Sequence, residues 1–595
     1  MSQTLDEILD AARDHHLAGR LPEAVELYRE ALQLAPEDAQ SVFLLGLAVF
    51  QLGQAAEAVD LVGRAISLDP AVAEYHCDLA RIRFTLNDLP GAISASRKAL
   101  ELRPDFPEAL FNLGNALCRS RRLEDGIDAY QRAITLRSDA RDGVNNLGMA
   151  QLELGRIDEA VACFDRILAS NPSAAAAHSN RIYALHFKAS ISAAEIRREL
   201  IRWNQRHAYP LKVTIVPHLR RRRPKGTSGN SVEPPLRIGY VSPDFREHVV
   251  GWNLLAFLPE HDPKLFHISC YSSVASPDAV TRQLQSHVAS WRDITKISDE
   301  HAAQMIREDQ IDILIDLSLH TGGNRLLIFA RKPAPIQVSY LGYPGSTGLE
   351  AMDYRLSDPF LDSDEELADH TERTIRLPRT YWCYRPGGPT PPVVPPPALS
   401  TGTITFGSLN AFQKISGPTL DLWRDLMQAA PRSRLLLHAP AGRHRQQLIQ
   451  RFQTSGIAAH RIEFVERLPW PEYIQSYQRI DIALDPFPYG GGITTCDALW
   501  MGVATITLRG KTSVGRSGTS ILGNLNLPQY IAQSPEQYIS AARALASDLP
   551  LLSDLRSNLR GRMLKSPLMD GLQFARDLEA AFLKMWDQWT NSSGG

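Results

Sequence analysis

Prolines Pro36, Pro70, Pro104 and Pro172 stand at multiples of 34 residues from one another, and Ser138 fills the slot left over. Small residues keep the same step: Ala12, Gly46, Ala80, Gly114 and Gly148 in one register, Ala24, Ala58, Ala92, Gly126 and Ala160 in a second, Ala31, Ala65, Ala99 and Ala133 in a third. A small residue at a fixed offset lets two helices cross closely, and proline cannot continue a helix, so each period reads as a helix hairpin closed by proline. One hairpin cannot bury its apolar face alone. Stacked neighbours supply the cover, which excludes a single globular core for this part of the chain.

A helix-hairpin period of this length is the tetratricopeptide pattern. Five repeats and the first helix of a sixth are expected over residues 5–187. Such arrays wind into an α-helical superhelix with a concave face that takes extended peptide. At one register the last repeats carry Asn112, Asn146 and Asn180, where the earlier ones carry Asp10, Leu44 and Asp78. An Asn amide donates and accepts, so these three form a ladder suited to holding a peptide backbone; hydrogen bonding within the hairpins is the other reading.

Residues 188–235 read as a linker, helical in pattern near Ala193 to Arg206 and broken at Pro210 and Pro217. The run Arg220 to Arg223 has no interleaved aromatic residues, which argues against nucleic-acid binding. From Leu236 the chain alternates strands and helices, the pattern of doubly wound parallel sheets. Residues 236–400 hold expected strands at 236–241, 266–271, 311–317 and 336–340. Residues 401–595 hold five more at 403–407, 434–438, 461–465, 480–485 and 503–508, closed by an amphipathic helix from Phe574 to Trp589. Ligands of such sheets sit beyond the carboxyl ends of strands. There the first half places Ser242-Pro-Asp-Phe-Arg-Glu-His248, Ser318-Leu-His320 and Leu341-Gly-Tyr-Pro-Gly345, so that two histidines and a proline-glycine loop share one face.

The second half places Asp485-Pro-Phe-Pro-Tyr-Gly-Gly-Gly-Ile-Thr-Thr-Cys-Asp-Ala-Leu-Trp-Met-Gly502 at the end of a strand. Glycines let a ligand approach the backbone, and the first N–H groups of the following helix, expected to be capped by Thr494 and Thr495, face an anion; the stretch reads as a pyrophosphate cradle. Opposite it, the loop Gly407-Ser-Leu-Asn410-Ala-Phe-Gln-Lys414 supplies a lysine for phosphate oxygens. Asp362-Ser-Asp364 has the D-x-D form of metal-dependent sugar transferases but lies in an acidic surface run and reads as coincidence. Gly510-Lys511-Thr512 ends like a Walker loop, yet Thr505 stands where the first glycine is required.

Lys plus Arg number 64 against 66 for Asp plus Glu, so the overall balance points to neither a nucleic-acid nor a membrane partner. The six cysteines form no C-x-x-C pair, as expected of reduced thiols, and no leader or long apolar span is evident; a cytoplasmic location is expected.

The order of these parts, together with Ile238-Gly-Tyr-Val-Ser-Pro-Asp-Phe-x-x-His248, Arg331-Lys-Pro-Ala-Pro-Ile-Gln-Val338, Leu341-Gly-Tyr-Pro-Gly345, Phe406-Gly-Ser-Leu-Asn-x-x-x-Lys414 and the cradle, resembles the protein O-GlcNAc transferase family. The resemblance implies a GT-B fold of two Rossmann-like domains and inverting sugar transfer from a nucleotide-sugar to Ser or Thr of intracellular proteins, without metal or other cofactor. It implies that His248 lies near the reacting centre as base or positioning group, and that Lys414 binds phosphate. The donor-binding set becomes Asn410, Gly491, Gly492, Thr494, Thr495, Asp497 on the ribose, Gly342 and Pro344 around the sugar, and Tyr473. Acceptor contacts fall to Asn112, Asn146, Asn180 and His320, the last preceded by Leu319 in place of the usual glycine. Partners are then acceptor polypeptides along the repeats, with a homo-oligomer left open.

Three departures bear on the donor. Gly490-Gly-Gly-Ile-Thr494 lacks the histidine of animal members, Trp470 and Tyr473 replace the nucleobase-contacting Lys and His, and Tyr384 follows Trp-Cys. These resemble the SPINDLY branch, whose plant founder uses GDP-fucose. UDP-GlcNAc is the first expectation, GDP-fucose the alternative, and a repeat scaffold that has lost activity the third reading.

Overall fold

The computed structural model describes residues 4–137, 141–218 and 234–591, and these divide into two compact units. The first holds residues 1–154 with 440–444, the second 155–439 with 445–595. Ser138 and Arg220 to Arg223 lie outside the described residues.

The first unit is built of helix pairs, Leu5–Leu17 with Leu21–Leu34, Ala39–Gln51 with Ala55–Leu68, Ala73–Thr85 with Leu89–Leu102, Pro107–Arg119 with Leu123–Leu136, followed by Arg141–Glu153. The small-residue registers are where helices touch. A Cβ on Gly46 would lie 2.9 Å from Val62, and Ala12, Ala80, Ala31, Ala65 and Ala99 are fully buried. At the surface Arg29 pairs with Glu57 of the next hairpin, and Arg103 with Glu74 closes the Ala73–Thr85 and Leu89–Leu102 hairpin on itself.

The second unit opens with the helices Ile157–Ser170 and Ala175–Leu185, the latter the expected start of a sixth repeat. The segment read as a linker is instead integral to this unit. Its helix Ala193–Trp203 starts at a capping box made by Ser192 and Glu195, and Ile196, Leu200, Trp203 and Ala208 share one core with Leu314, Leu326 and Phe329. Its apolar stripe needs that cover; the polar composition after residue 218 obscured it.

Two parallel sheets follow. The first contains β1 (Leu236–Ser242), β2 (Phe266–Ser272), β3 (Ser290–Asp293), β4 (Ile313–Asp316), β5 (Ile336–Ser339), β6 (Tyr354–Ser357) and β7 (Arg373–Arg376), in the order β3-β2-β1-β4-β5-β6-β7. The second contains β8 (Ile404–Ser408), β9 (Ser433–His438), β10 (Ile462–Val465), β11 (Ile482–Leu484), β12 (Ala504–Leu508) and β13 (Ile531–Ala532), in the order β10-β9-β8-β11-β12-β13. Each is a Rossmann-type order that reverses beside its first strand, and the crevice at such a switch point is where ligands bind. The nine expected strands are all present. The four others are an edge strand half open to solvent (β3), a strand carrying a buried arginine (β6), the exposed edge β7 and the two-residue β13.

The closing helix, Gly571–Asn591, packs back onto the elements of the first sheet's side. Phe574 packs on Phe257 at 5.1 Å between ring centres, and Glu579 accepts from the Asp262 N–H at 2.8 Å and from His261 at 3.2 Å.

Candidate active site

The loop after β11 and the helix Ile493–Trp500 form the cradle at the second sheet's switch point. Gly491 has no room for a side chain: a Cβ there would meet Thr495 Oγ1 at 2.3 Å and Asp485 Oδ1 at 2.5 Å. At Gly492 it would strike the Trp382 ring at 2.8 Å. Gly492 is also the N-cap, and no side chain caps this helix. Thr494 and Thr495, expected from the sequence to cap this helix, therefore do not, because the helix starts before them. Thr494 Oγ1 donates to Asn410 Oδ1 at 2.7 Å and Thr495 Oγ1 to Asp485 Oδ1 at 2.8 Å, so both hydroxyls pin the loops on either side. An uncapped helix start behind two glycines is suited to an anion.

Lys414 reaches the same place from the loop after β8. Its Nζ donates to the Gly490 carbonyl at 3.0 Å and lies 4.3 Å above the Tyr489 ring. Burial pushes its pKa down to about 8, against the pull of Asp485. Burial in turn pushes Asp485 up to about 6, with Thr495 opposing.

Beside the cradle, buried Asp497 accepts from Tyr384 at 2.7 Å and from Tyr473 at 2.8 Å. Tyr473 also contacts the Tyr477 hydroxyl at 3.0 Å, and Tyr477 donates to the Thr494 carbonyl at 3.0 Å. Burial raises the Asp497 pKa to about 7, with the two tyrosines opposing. Trp470 packs on Tyr473 at 5.8 Å and Trp252 on Trp470 at 5.4 Å between ring centres. Sequence reasoning missed Trp252 and Tyr477. Trp252 follows His248 by one helical turn, which was a usable signal.

On the first sheet's side, His248 caps the helix Val249–Phe257, its Nδ1 accepting from the Val250 N–H at 3.3 Å and lying 3.7 Å from Asp244 Oδ2. Burial lowers its pKa, with Asp244 opposing, so the ring is neutral near pH 7. With Nδ1 as acceptor, the hydrogen-bond network assigns the proton to Nε2. Gly342 is forced by contact, since a Cβ would lie 2.6 Å from the Ser318 carbonyl. Pro344 is buried and lines a small pocket of about 30 Å³ with His186, Leu200 and Val514.

The expectation for His320 is corrected too. It is fully buried, Nε2 donating to the Thr347 carbonyl at 2.9 Å and Nδ1 bonded to Ser179 at 3.0 Å, with its ring against Trp203. No acceptor reaches it; it ties the loop after β4 to the helix Ala175–Leu185. Asn112 and Asn146 line a groove of about 700 Å³ in the first unit, together with Phe111, Asn115 and Arg141. Each already donates one amide proton to the first helix of the preceding hairpin, Asn112 to the Cys77 carbonyl and Asn146 to Asn115, so these bonds join neighbouring hairpins beside the groove. Asn180 lies in the second unit, on Ala175–Leu185. Asp362 of the D-x-D stretch is fully buried between Arg355 and Arg516, at 2.7 and 2.6 Å.

Comparison with known proteins agrees with this geometry. Residues 179–384 and 397–578 match the family described as Glycosyl transferase family 41, and residues 13–53, 77–141 and 145–196 match tetratricopeptide repeat families. The probable UDP-N-acetylglucosamine–peptide N-acetylglucosaminyltransferase SPINDLY of Solanum lycopersicum is 38% identical over 365 residues, 60% of this chain and 39% of that protein. The corresponding SEC protein of Arabidopsis thaliana is 31% identical over 371 residues, 59% of this chain and 37% of its own length. The chain thus spans about two fifths of the curated relatives it matches. Among solved structures, a mutant of the Thermobaculum terrenum O-GlcNAc transferase superposes with a TM-score of 0.79 at 32% identity, covering 88% of this chain and 99% of that one.

Proposed function

The chain belongs to glycosyl transferase family 41, and we propose that this glycosyltransferase moves N-acetylglucosamine from UDP-N-acetylglucosamine to Ser or Thr hydroxyls of proteins, with inversion and without a metal ion. The observation that carries the reading is the meeting of Lys414, the uncapped helix start at Gly492 and the crowded glycine Gly491 at one switch point. In the reaction the acceptor oxygen attacks the anomeric carbon opposite the diphosphate, the sugar–phosphate bond breaks toward the cradle, and the hydroxyl proton passes to an oxygen of the departing diphosphate or to water. The leaving charge is met by Lys414 and the helix N-terminus; preorganised donors of this kind contribute on the order of 3 kcal/mol each. The groove holding Asn112 and Asn146 is assigned the acceptor polypeptide. No helix among the described residues is long and apolar enough to cross a membrane, and we assign a cytoplasmic location.

His248 takes the positioning role. With Nδ1 accepting from the Val250 N–H and the proton assigned to Nε2, it has no free ring lone pair for the hydroxyl proton. His248→Ala should lower kcat by less than about a hundredfold, under the range of a true general base. Turnover measured beside Lys414→Ala, with nucleotide affinity titrated separately, decides the matter: a larger loss at His248 makes it the base.

The aromatic wall of Trp470, Tyr473 and Tyr384 supports the second donor reading, GDP-fucose. Calorimetric titration with UDP and GDP separates the two. Tighter UDP binding is expected; tighter GDP binding moves the chain to fucosyl transfer, and binding of neither leaves a scaffold.

A further inference from the structure

The helix Ala175–Leu185 is a repeat helix by sequence, yet its side chains and the residues just after it touch four of the loops that build the site. Ser179 holds His320 in the loop after β4. Tyr183 and His186 pack on Tyr343 in the loop after β5, at 6.0 and 4.8 Å between ring centres. The Tyr183 hydroxyl lies beside Gln413, the neighbour of Lys414, in the loop after β8. Phe187, 1% exposed, lies flat on Tyr489 in the loop after β11, at 4.9 Å and an interplanar angle of 9°. Tyr489 is the ring over which the Lys414 ammonium sits.

We propose that this helix end braces the cradle: Phe187, stacked on Tyr489, and Tyr183, beside Gln413, are positioning residues that hold Lys414 over its site and shield it from water. The argument is geometric. Lys414 is fixed by two contacts, the Gly490 carbonyl and the Tyr489 face, and both belong to the stretch on which Phe187 rests. A flat stack fixes a ring in two directions, and Tyr489 cannot tilt toward the helix while Phe187 is present. Tyr183 fixes the other side of the lysine's own loop. The lowered pKa of Lys414 agrees with the shielding, since desolvation is its first cause. The titratable groups facing the lysine are Asp485 from the β11 end and the tyrosines 183 and 489; only Asp485 titrates below pH 9. Through this stack the last repeat becomes part of the catalytic apparatus.

The inference extends the proposed function by naming what holds its phosphate-binding lysine, and it is tested without relying on that function. Pulse labelling of the full chain with acetic anhydride across pH 6–10, read by peptide mass spectrometry, follows the Lys414 amine in the unliganded protein. In the wild type its reactivity should rise with a midpoint near 8. Phe187→Leu keeps an apolar filler but removes the stack, and should move the midpoint upward by about one unit as water enters. Tyr183→Phe, which removes only a hydroxyl, should move it less and in the same direction, and serves if the leucine variant does not fold. UDP titration and turnover run in parallel. A shifted midpoint with at least a tenfold lower kcat and an unchanged unfolding temperature is the expected result. An unshifted midpoint in both variants overturns the brace even if UDP binds. A shifted midpoint in a protein that binds neither UDP nor GDP keeps the brace and removes the nucleotide-sugar reading.

Discussion

Lys414→Ala is expected to lower kcat by about a hundredfold to a thousandfold, the scale on which single preorganised charge-stabilising groups act. Nucleotide affinity should fall by less, because the diphosphate keeps the helix start and the cradle N–H groups while the departing charge loses its counter-ion. The pH dependence follows from the direction of the shift. Lys414 is charged below about 8 and neutral above it, well under its ordinary 10.5. A bound diphosphate favours the charged form, so binding takes up a proton above pH 8 and the Kd for UDP should be flat from pH 7 to 8 and weaken beyond it. The alanine variant should lose that limb along with its activity. Titration of both proteins with UDP between pH 7 and 10 checks the claim: an alkaline limb that survives in Lys414→Ala belongs to another group. Folding carries the opposite sign. Between pH 8 and 10.5 the folded chain binds fewer protons at this site than the unfolded one, so stability from Lys414 rises with pH while donor affinity falls.

The sequence exposed what repeats and what runs buried. The hairpins were legible because crossing helices demand small residues at a fixed step, and nine strands because parallel sheets covered on both faces are written as continuous apolar runs. The junction of strand, glycine turn and helix at residues 482–500 was legible from its apolar run and its three glycines. What stayed hidden is what burial and side-chain pairing decide. His320 looked like a site histidine because it follows a strand; only the fold puts Ser179 and the Thr347 carbonyl on its two nitrogens. Thr494 and Thr495 looked like caps because threonines precede an apolar helix. The helix begins two residues sooner, where Gly492 accepts a backbone conformation that no capping side chain supports. Residues 188–218 looked like linker because their apolar stripe is short and ends in prolines, although its partners lie more than a hundred residues away. The resemblance carried Asp497 to the nucleoside, and the structure adds that two tyrosine hydroxyls already hold both its oxygens, which changes what a ribose would have to displace or share.

The two acids of the D-x-D stretch should part company on substitution. Asp362 accepts from Arg355 on β6 and from Arg516, in the turn after β12, so one carboxylate joins the first sheet to the second. Ser357 at 2.6 Å and Ser513 at 2.8 Å complete its bonds. Burial opposes its charge, but the Arg355 guanidinium and His370 hold its pKa far below the usual carboxylate range. Removing one partner of a buried ion pair leaves the other uncompensated and costs about 3–5 kcal/mol. Asp362→Ala strands Arg355 and leaves Arg516 with Glu366 alone, each arginine 1% exposed in its side chain, and is expected to cost at least that much. Asp362→Asn keeps the shape but not the charge and should fare little better. Because the folded pKa is depressed, the contribution is present above the unfolded value near 4 and is lost only at much lower pH, so it should be constant from pH 5 to 8. Asp364 pairs with Arg376 at the surface, its side chain 84% exposed, and Asp364→Ala should leave both stability and turnover near the wild type. Urea unfolding of the three variants, followed at pH 5 and pH 8 alongside turnover with and without added Mn²⁺, tests the pair. In a transferase that used D-x-D for metal, Asp364 would be needed for activity and Mn²⁺ would raise the rate. Here the expected loss falls on Asp362 and on folding, because that carboxylate bonds one sheet to the other.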